Sequence, residues 1–175
     1  IKIVHSDGLE QLSLVLWGIV EYTLNSTGYG MCANGTWSAV ENYVFNIPIG
    51  CYLPRAMRQR TLKGALEVLR TNARGLGYYH LASAEKEMVG IESIQDDFEI
   101  ILPQNDILVH SNHYLTDRFK KNDMVNLLVP DSPSRVERIN KLMNEQYGKI
   151  DVEIMMEILA DHDQYPCSIC RHVDE

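Results

Sequence analysis

Asp161-His162-Asp163-Gln164-Tyr165-Pro166-Cys167-Ser168-Ile169-Cys170-Arg171-His172 gathers two Asp, two His, two Cys, one Ser and one Arg into twelve residues. A solvated loop does not require that density of reactive side chains. Pro166 fixes the backbone ahead of Cys167 and predicts a rigid turn. A second dense stretch, His110-Ser111-Asn112-His113, follows the apolar pair Leu108-Val109. It falls where a strand would emerge into a loop, and loops leaving a rigid scaffold commonly carry function. The chemistry is expected where these two segments meet.

Each segment has competing readings. An Asn at a strand end can aim its amide N–H groups at a developing oxyanion, a donor worth roughly 3–4 kcal/mol of barrier. Otherwise Asn112 caps a turn, and the two His are surface residues or core residues satisfied by hydrogen bonds. Cys167 and Cys170 have the two-residue spacing of a zinc knuckle or a redox pair. His110 and His113 would complete a two-Cys, two-His metal set, although the His pair comes first and its spacing is short. A redox pair would need a helix N-terminus in a β-α pattern, which this stretch lacks. The plain alternative is a packed loop held by hydrogen bonds of Asp161, Asp163 and Arg171. Elsewhere, Arg55 and Arg58 read as a carboxylate clamp or as solvated helix charges. His80 reads as a satisfied strand residue. Asp96, Asp97 and Glu99 read as a turn and an exposed strand edge. Glu41-Asn42-Tyr43 carries no signal.

Periodicity supplies the frame around these segments. Gln11 to Trp17 alternates and then runs apolar, and Gly18 to Leu24 continues extended. Asn25-Ser26-Thr27-Gly28 is a turn signal, because Asn and Gly tolerate positive φ. Tyr29 to Trp37 returns as a strand, so a hairpin is predicted. Between Pro48 and Asn72 the apolar residues Leu53, Met57, Leu62, Ala65, Leu66 and Leu69 fall at helical spacing, with Thr61 capping a second helix. Four strands follow, at Tyr78 to Ala84, Met88 to Ser93, Phe98 to Leu102 and Ile107 to Ser111. Ser134 to Tyr147 is predicted helical, capped by Ser132 with Pro133 at its first position and ended by Gly148. Asp151 caps a last helix through Leu159, burying Ile154, Met155, Ile158 and Leu159. Its methionines read as core filler. Strands, helices, strands and helices in that order argue for an α+β layered domain.

Bulk properties narrow the function classes. The 175 residues suit one domain, and 45% hydrophobic against 23% charged residues provides a core. The formal net charge of -8 repels phosphate backbones, so neither nucleic acid nor an anionic membrane is expected as a partner. No apolar run approaches the roughly 18 residues of a transmembrane helix. Nothing at the start resembles a signal peptide, and a cytoplasmic location with reduced thiols is expected for Cys32, Cys51, Cys167 and Cys170. Ile1-Lys2-Ile3-Val4 reads as a strand already under way, so further residues are expected upstream.

Taken together, the landmarks resemble the isopenicillin-N acyltransferase family of cysteine N-terminal-nucleophile hydrolases. Gly28-Tyr29-Gly30-Met31-Cys32-Ala33-Asn34 resembles its Gly-aliphatic-x-x-x-x-Asn strand. Ile47-Pro48, a short helix and Arg55 resemble its Gly-Val-Pro segment leading to Arg. Leu62 to Leu69 resembles its Glu-Ala-rich helix, and Gly90-Ile91-Glu92 its Gly-Leu-Glu strand. Val109-His110-Ser111-Asn112-His113 resembles Val-His-Thr-Asn-His. Tyr165 to Arg171 resembles Tyr-Pro-x-Ser-Ile-Cys-Arg. The last two motifs are specific; the others gain weight from their order.

The resemblance implies a four-layer αββα sandwich and maturation by self-cleavage that exposes a Cys whose α-amino group serves as general base. That Cys would take an acyl group from a small-molecule amide or thioester and pass it to an amine or to water. By position, Asn112 matches the oxyanion donor and Ser168 the Ser beside the site. Tyr114, Tyr165 and Arg171 are expected to bind substrate. No cofactor and no metal are expected. An N-terminal pro-segment or companion chain is a further expected partner. The chain departs from the family in lacking the nucleophile segment, a Cys followed by a Trp-Asp pair, and the final strands. Ile94 also stands where a small hydroxyl residue would align, beside Ser93. Residues 1–175 are therefore read as the middle of the catalytic domain, inactive by themselves. The rival functions are a small zinc-binding module using Cys167, Cys170, His110 and His113, and a non-catalytic binding domain of the same fold.

Overall fold

A computed structural model describes residues 1–16, 18–39, 47–71, 75–95 and 97–172. Trp17, Glu41-Asn42-Tyr43, Asn72 and Asp96, named above, lie outside the described residues. Seven strands form one antiparallel sheet in chain order: β1 Lys2–Val4, β2 Glu10–Leu16, β3 Ile19–Asn25, β4 Tyr29–Asn34, β5 Gly75–Ser83, β6 Met88–Gln95 and β7 Asp97–Ile101. Helices α1 (Ile49–Met57) and α2 (Leu62–Thr71) cross between β4 and β5. Among the described residues four helices follow the sheet: α3 Asp117–Lys120, α4 Val125–Leu128, α5 Ser132–Glu145 and α6 Val152–Leu159.

The predicted β3–β4 hairpin forms, turned by Gly28 at φ +79. Any Cβ there would stand 2.6 Å from the Ala84 Cβ, so both the conformation and the close approach require glycine. One face of the sheet carries Tyr29, Met31, Tyr79, Leu81, Val89 and Ile91. Tyr52, Leu53 and Met57 of α1 and Leu62, Ala65 and Leu69 of α2 pack over them. Each large side chain buried there stabilises the fold by about 1.5–3 kcal/mol. The Tyr52 and Tyr79 hydroxyls are hydrogen-bonded at 2.9 Å, tying α1 to β5.

On β2 and β3 the alternation runs opposite to the usual sense. Polar Gln11, Ser13, Thr23 and Asn25 are buried, while Leu12 is 62% and Leu24 57% exposed. A chain of hydrogen bonds satisfies the buried set: His5 to Gln11 at 3.1 Å, Gln11 to Ser13 at 2.9 Å and Ser13 to Thr23 at 3.0 Å. Asn25 donates to the Gln59 carbonyl at 2.7 Å and fixes the α1–α2 connection. The outward leucines give the opposite face an apolar character, as a sheet in a face-to-face sandwich needs.

Several expectations change. Ile107 to Ser111 is not a strand; among the described residues its only ladder contact is an isolated bridge between Gln104 and Ile107. The His110 ring instead lies against Tyr78 of β5 and pairs with Glu92 of β6. Strand β4 ends at Asn34 rather than Trp37, and α5 begins at Ser132 rather than Ser134. Ser132 does not cap α5, because its hydroxyl is used by the preceding loop. Asp151 does cap α6, accepting from the Ile154 N–H at 2.9 Å. Leu159 is 53% exposed, so only Ile158 of that expected stripe is fully buried.

Candidate active site

Glu92 points away from α1 and α2, and its side chain is wholly buried. It accepts from His110 Nε2 at 2.9 Å, from the Leu115 N–H, and from the Thr116 N–H at 3.0 Å and hydroxyl at 2.6 Å. Burial pushes the carboxyl pKa upward, but the bonds from His110, Leu115 and Thr116 outweigh it. The group lies below the usual carboxylate range. One buried acid thus hangs the whole 110–116 loop from β6.

Tyr78 completes the mount. Its ring stacks on His110 with centroids 3.6 Å apart and planes within 4°. The ring fits because residue 90 is glycine; a Cβ there would meet the Tyr78 hydroxyl at 2.5 Å. That hydroxyl pairs with His80 Nδ1 at 3.1 Å. Burial, reinforced by His110, pushes the His80 imidazole below its ordinary pKa.

Asn112 rides on this mount. Its backbone N–H donates to Ser132 Oγ at 2.7 Å. Its Oδ1 accepts from Arg135 Nη2 at 2.7 Å and from Ser111 Oγ at 3.3 Å. With the oxygen claimed by a guanidinium, the carboxamide cannot flip without losing a charge-assisted bond. One N–H is spent on the Gly35 carbonyl at 2.9 Å, and the second has no partner among the described residues. Asn34, the neighbour of Gly35, donates to the Ser111 carbonyl and lies 3.2 Å from His110 Nδ1. Asn34 was legible as a strand landmark, but its contact with the 110–112 loop was not. His113 Nδ1 pairs with Ser132 Oγ at 2.8 Å. Burial, with His110 and Arg135, lowers its pKa against the opposing pull of Asp123 and Glu92.

The 161–172 loop joins this arrangement through α5. Arg171 reaches Asp131 at 3.5 Å, and Asp131 holds Arg135 Nε at 2.8 Å. Asn112, Arg135, Asp131 and Arg171 therefore form one line of contacts between the two polar segments. Asp161 and Asp163 pair with Arg138 at 2.6 and 3.4 Å rather than with Arg171. The hydrogen bond from Arg138 holds the Asp161 carboxyl below its usual range. Ser168 is buried, and its hydroxyl donates to the Cys170 carbonyl at 2.6 Å. Its proton is therefore committed to the loop rather than offered to a ligand. Tyr165 is 63% exposed, with its ring 5.2 Å from that of His172.

Two expectations need correction. Tyr114 cannot line a cleft: it is completely buried, its hydroxyl donates to the Ser93 carbonyl at 3.1 Å, and its ring packs edge-on against Phe119. Nor do Cys167, Cys170, His110 and His113 converge on a metal, since Glu92, Ser111 and Ser132 occupy the two imidazoles. All four cysteines are free thiols, and burial pushes the Cys32 thiol up to about 11.

Beyond the mount, the open face of the sheet holds a groove of about 570 Å³ lined by Leu12, Leu14, Leu24, Met31, Cys32 and His80. No described helix is long and apolar enough to cross a membrane.

Comparison with known proteins sets this geometry in context. The sequence model of the acyl-coenzyme A:6-aminopenicillanic acid acyl-transferase family matches residues 48–175. No curated protein sequence matches the chain. Among solved structures, an N-acylethanolamine-hydrolyzing acid amidase ortholog of Caenorhabditis elegans superposes with a TM-score of 0.58 at 14% identity, over 94% of this chain and 81% of its own. A variant of conjugated bile acid hydrolase from Clostridium perfringens superposes at 0.53 and 13% identity, over 90% of this chain and 67% of its own. A second mutant of that hydrolase gives 0.51 and 13%, over 86% and 62%. At these identities the likeness concerns the fold alone, which in the described residues is α+β, one antiparallel sheet with helices.

Proposed function

The chain belongs to the acyl-coenzyme A:6-aminopenicillanic acid acyl-transferase family, and from that premise we propose that the whole protein cleaves or transfers an acyl group at an amide or thioester. The nucleophile is an N-terminal Cys outside residues 1–175. Cys32 is mid-strand and half-buried, Cys51 lies inside α1, and Cys167 and Cys170 sit in the closing loop. Cleavage ahead of Cys32 would cut the sheet in two.

The reaction follows from the groups in hand. An α-amino group, with an ordinary pKa near 8, takes the thiol proton. The sulfur adds to the acyl carbon, and the carbonyl electron pair moves onto oxygen. Asn112 donates its spare N–H to that oxyanion. Collapse expels the amine or thiol, which takes the proton and leaves an acyl thioester. An incoming amine or water then attacks the thioester and releases the enzyme. Arg171 presents a cation for a substrate carbonyl or carboxylate, and exposed Tyr165 offers an aromatic face. Ser168 holds the Arg171 loop.

The observation that carries this reading is the locked Asn112 carboxamide, with Arg135 on its oxygen and one N–H without a partner among the described residues. Mass spectrometry of the full-length product tests it. A mature chain beginning at Cys, inactivated by iodoacetamide and turning over N-acyl amides or acyl thioesters, is expected. An uncleaved chain with undiminished activity overturns the reading.

A further inference from the structure

We infer that the 161–172 loop binds one transition-metal ion of the zinc class through His162 Nε2, His172 Nε2 and Cys170 Sγ. The site lies in the loop that carries Arg171, but metal binding there is measurable without the acyl chemistry and stands or falls without it. It departs from the sequence reading, which expected no metal here and built the rival zinc set from Cys167, Cys170, His110 and His113, sharing only Cys170 with this site.

The donor atoms converge. The two Nε2 atoms lie 2.8 Å apart, Cys170 Sγ is 3.7 Å from His172 Nε2, and all three lie within 4.8 Å of one another. Tetrahedral zinc needs about 3.3 Å between two imidazole nitrogens and about 3.6 Å between nitrogen and sulfur, from bond lengths of roughly 2.0–2.1 and 2.3 Å. The two imidazole nitrogens must part by about half an ångström, and the His162–Cys170 separation, within 4.8 Å, must close by about an ångström at most, both within reach of side-chain rotation.

The backbone brings the ligands together without a metal. Cys170 N–H donates to the Asp161 carbonyl at 3.0 Å, His172 N–H to the Pro166 carbonyl at 3.1 Å, and Tyr165 N–H to the His162 carbonyl at 3.0 Å. Arg138 anchors Asp161, the neighbour of His162, to α5. Two imidazoles and a thiolate are borderline-soft donors, which favour zinc over calcium or magnesium. Binding breaks the His162–His172 hydrogen bond, and the shared proton moves to an Nδ1. The Cys170 thiol releases its proton to solvent. A solvent molecule completes four-coordination, because Asp163 is held by Arg138. The ion would tie Cys170 and His172, the two neighbours of Arg171, to His162 and so fix Arg171 against α5.

The test measures metal alone, without turnover. The reduced full-length protein is loaded with zinc, gel-filtered and assayed for bound metal. One equivalent per chain is expected. His162→Ala, His172→Ala and Cys170→Ser should each weaken zinc binding roughly tenfold or more. Cys167→Ser and His113→Gln should not. Cobalt(II) should give a thiolate charge-transfer band that Cys170→Ser abolishes. In the unaltered protein, zinc should protect Cys170 from alkylation while Cys167 stays reactive, a readout independent of how any variant folds. Substoichiometric zinc, loss with the Cys167 or His113 variants, retention in every variant, or an unprotected Cys170 would each overturn the site.

Discussion

The two polar loops looked alike as sequence, and the molecule treats them in opposite ways. The 110–116 loop is suspended from a buried carboxylate on β6 and pressed onto Tyr78, so its shape is imposed by the sheet. The 161–172 loop is knit by its own backbone bonds and touches the body through Arg138 and Arg171. A cluster of His, Asn and Ser can thus be a buried mount that points one amide outward. A cluster of His and Cys can be a self-organised surface loop with free donor atoms. The difference lies in where each charge is buried. Glu92 is inaccessible and must have four donors, whereas half-exposed Arg171 can change partners at small cost.

The sharpest way to break this contrast is Glu92→Leu. It leaves the His110, Leu115 and Thr116 donors buried without an acceptor, at about 1–3 kcal/mol each before relaxation. A loss of at least ~3 kcal/mol in urea unfolding is expected; a loss under ~1 kcal/mol would show that the loop does not hang on this acid. The pH dependence follows from the same group. Its native pKa is depressed, so its contribution is complete above the ordinary carboxylate range and disappears as pH falls through the native value. Unfolding midpoints measured down into the acid range should drop in the parent and flatten in Glu92→Gln.

Next in size is Asn112→Ala, which should lower kcat of the whole protein by roughly 10²–10³-fold, the usual effect of deleting one oxyanion donor. Arg135→Met should lower kcat in the same direction with less change in KM, because it frees the carboxamide to flip. Unchanged turnover in both variants would make the mount purely structural. Gly90→Ala should cost about 1–3 kcal/mol by driving a Cβ into Tyr78, an overpacking effect measurable in the denaturant midpoint. The smallest change is expected from Ser168→Ala, about 1 kcal/mol for one hydrogen bond within the self-knit loop. A loss as large as that of Glu92→Leu would erase the distinction between the loops.

Legibility followed the range of the interaction. The 25–28 turn was readable because Asn and Gly carry their backbone preferences with them. The Asp151 cap was readable because its partner is three residues away. Motif order led to the family, as residues 48–175 bear out. The strand predicted over 107–111, which does not form, was misread because Ile107-Leu108-Val109 reads as extended locally while the partner of His110, Glu92, is eighteen residues distant. Ser132 was misread as a cap because its ligands come from residues 112 and 113. Tyr114 was placed in a cleft because nothing near it in sequence announces the Ser93 carbonyl or Phe119.

By itself, then, the sequence determined the periodic elements, the turns and the presence of two reactive segments, since these depend on neighbours within a few positions. Tertiary structure alone decided which face of β2 is covered, which acid holds His110 and which cation locks Asn112. Each of those pairings closes a long span of chain around a buried or converging polar group. Its energy exists only once the sheet has brought both partners out of water.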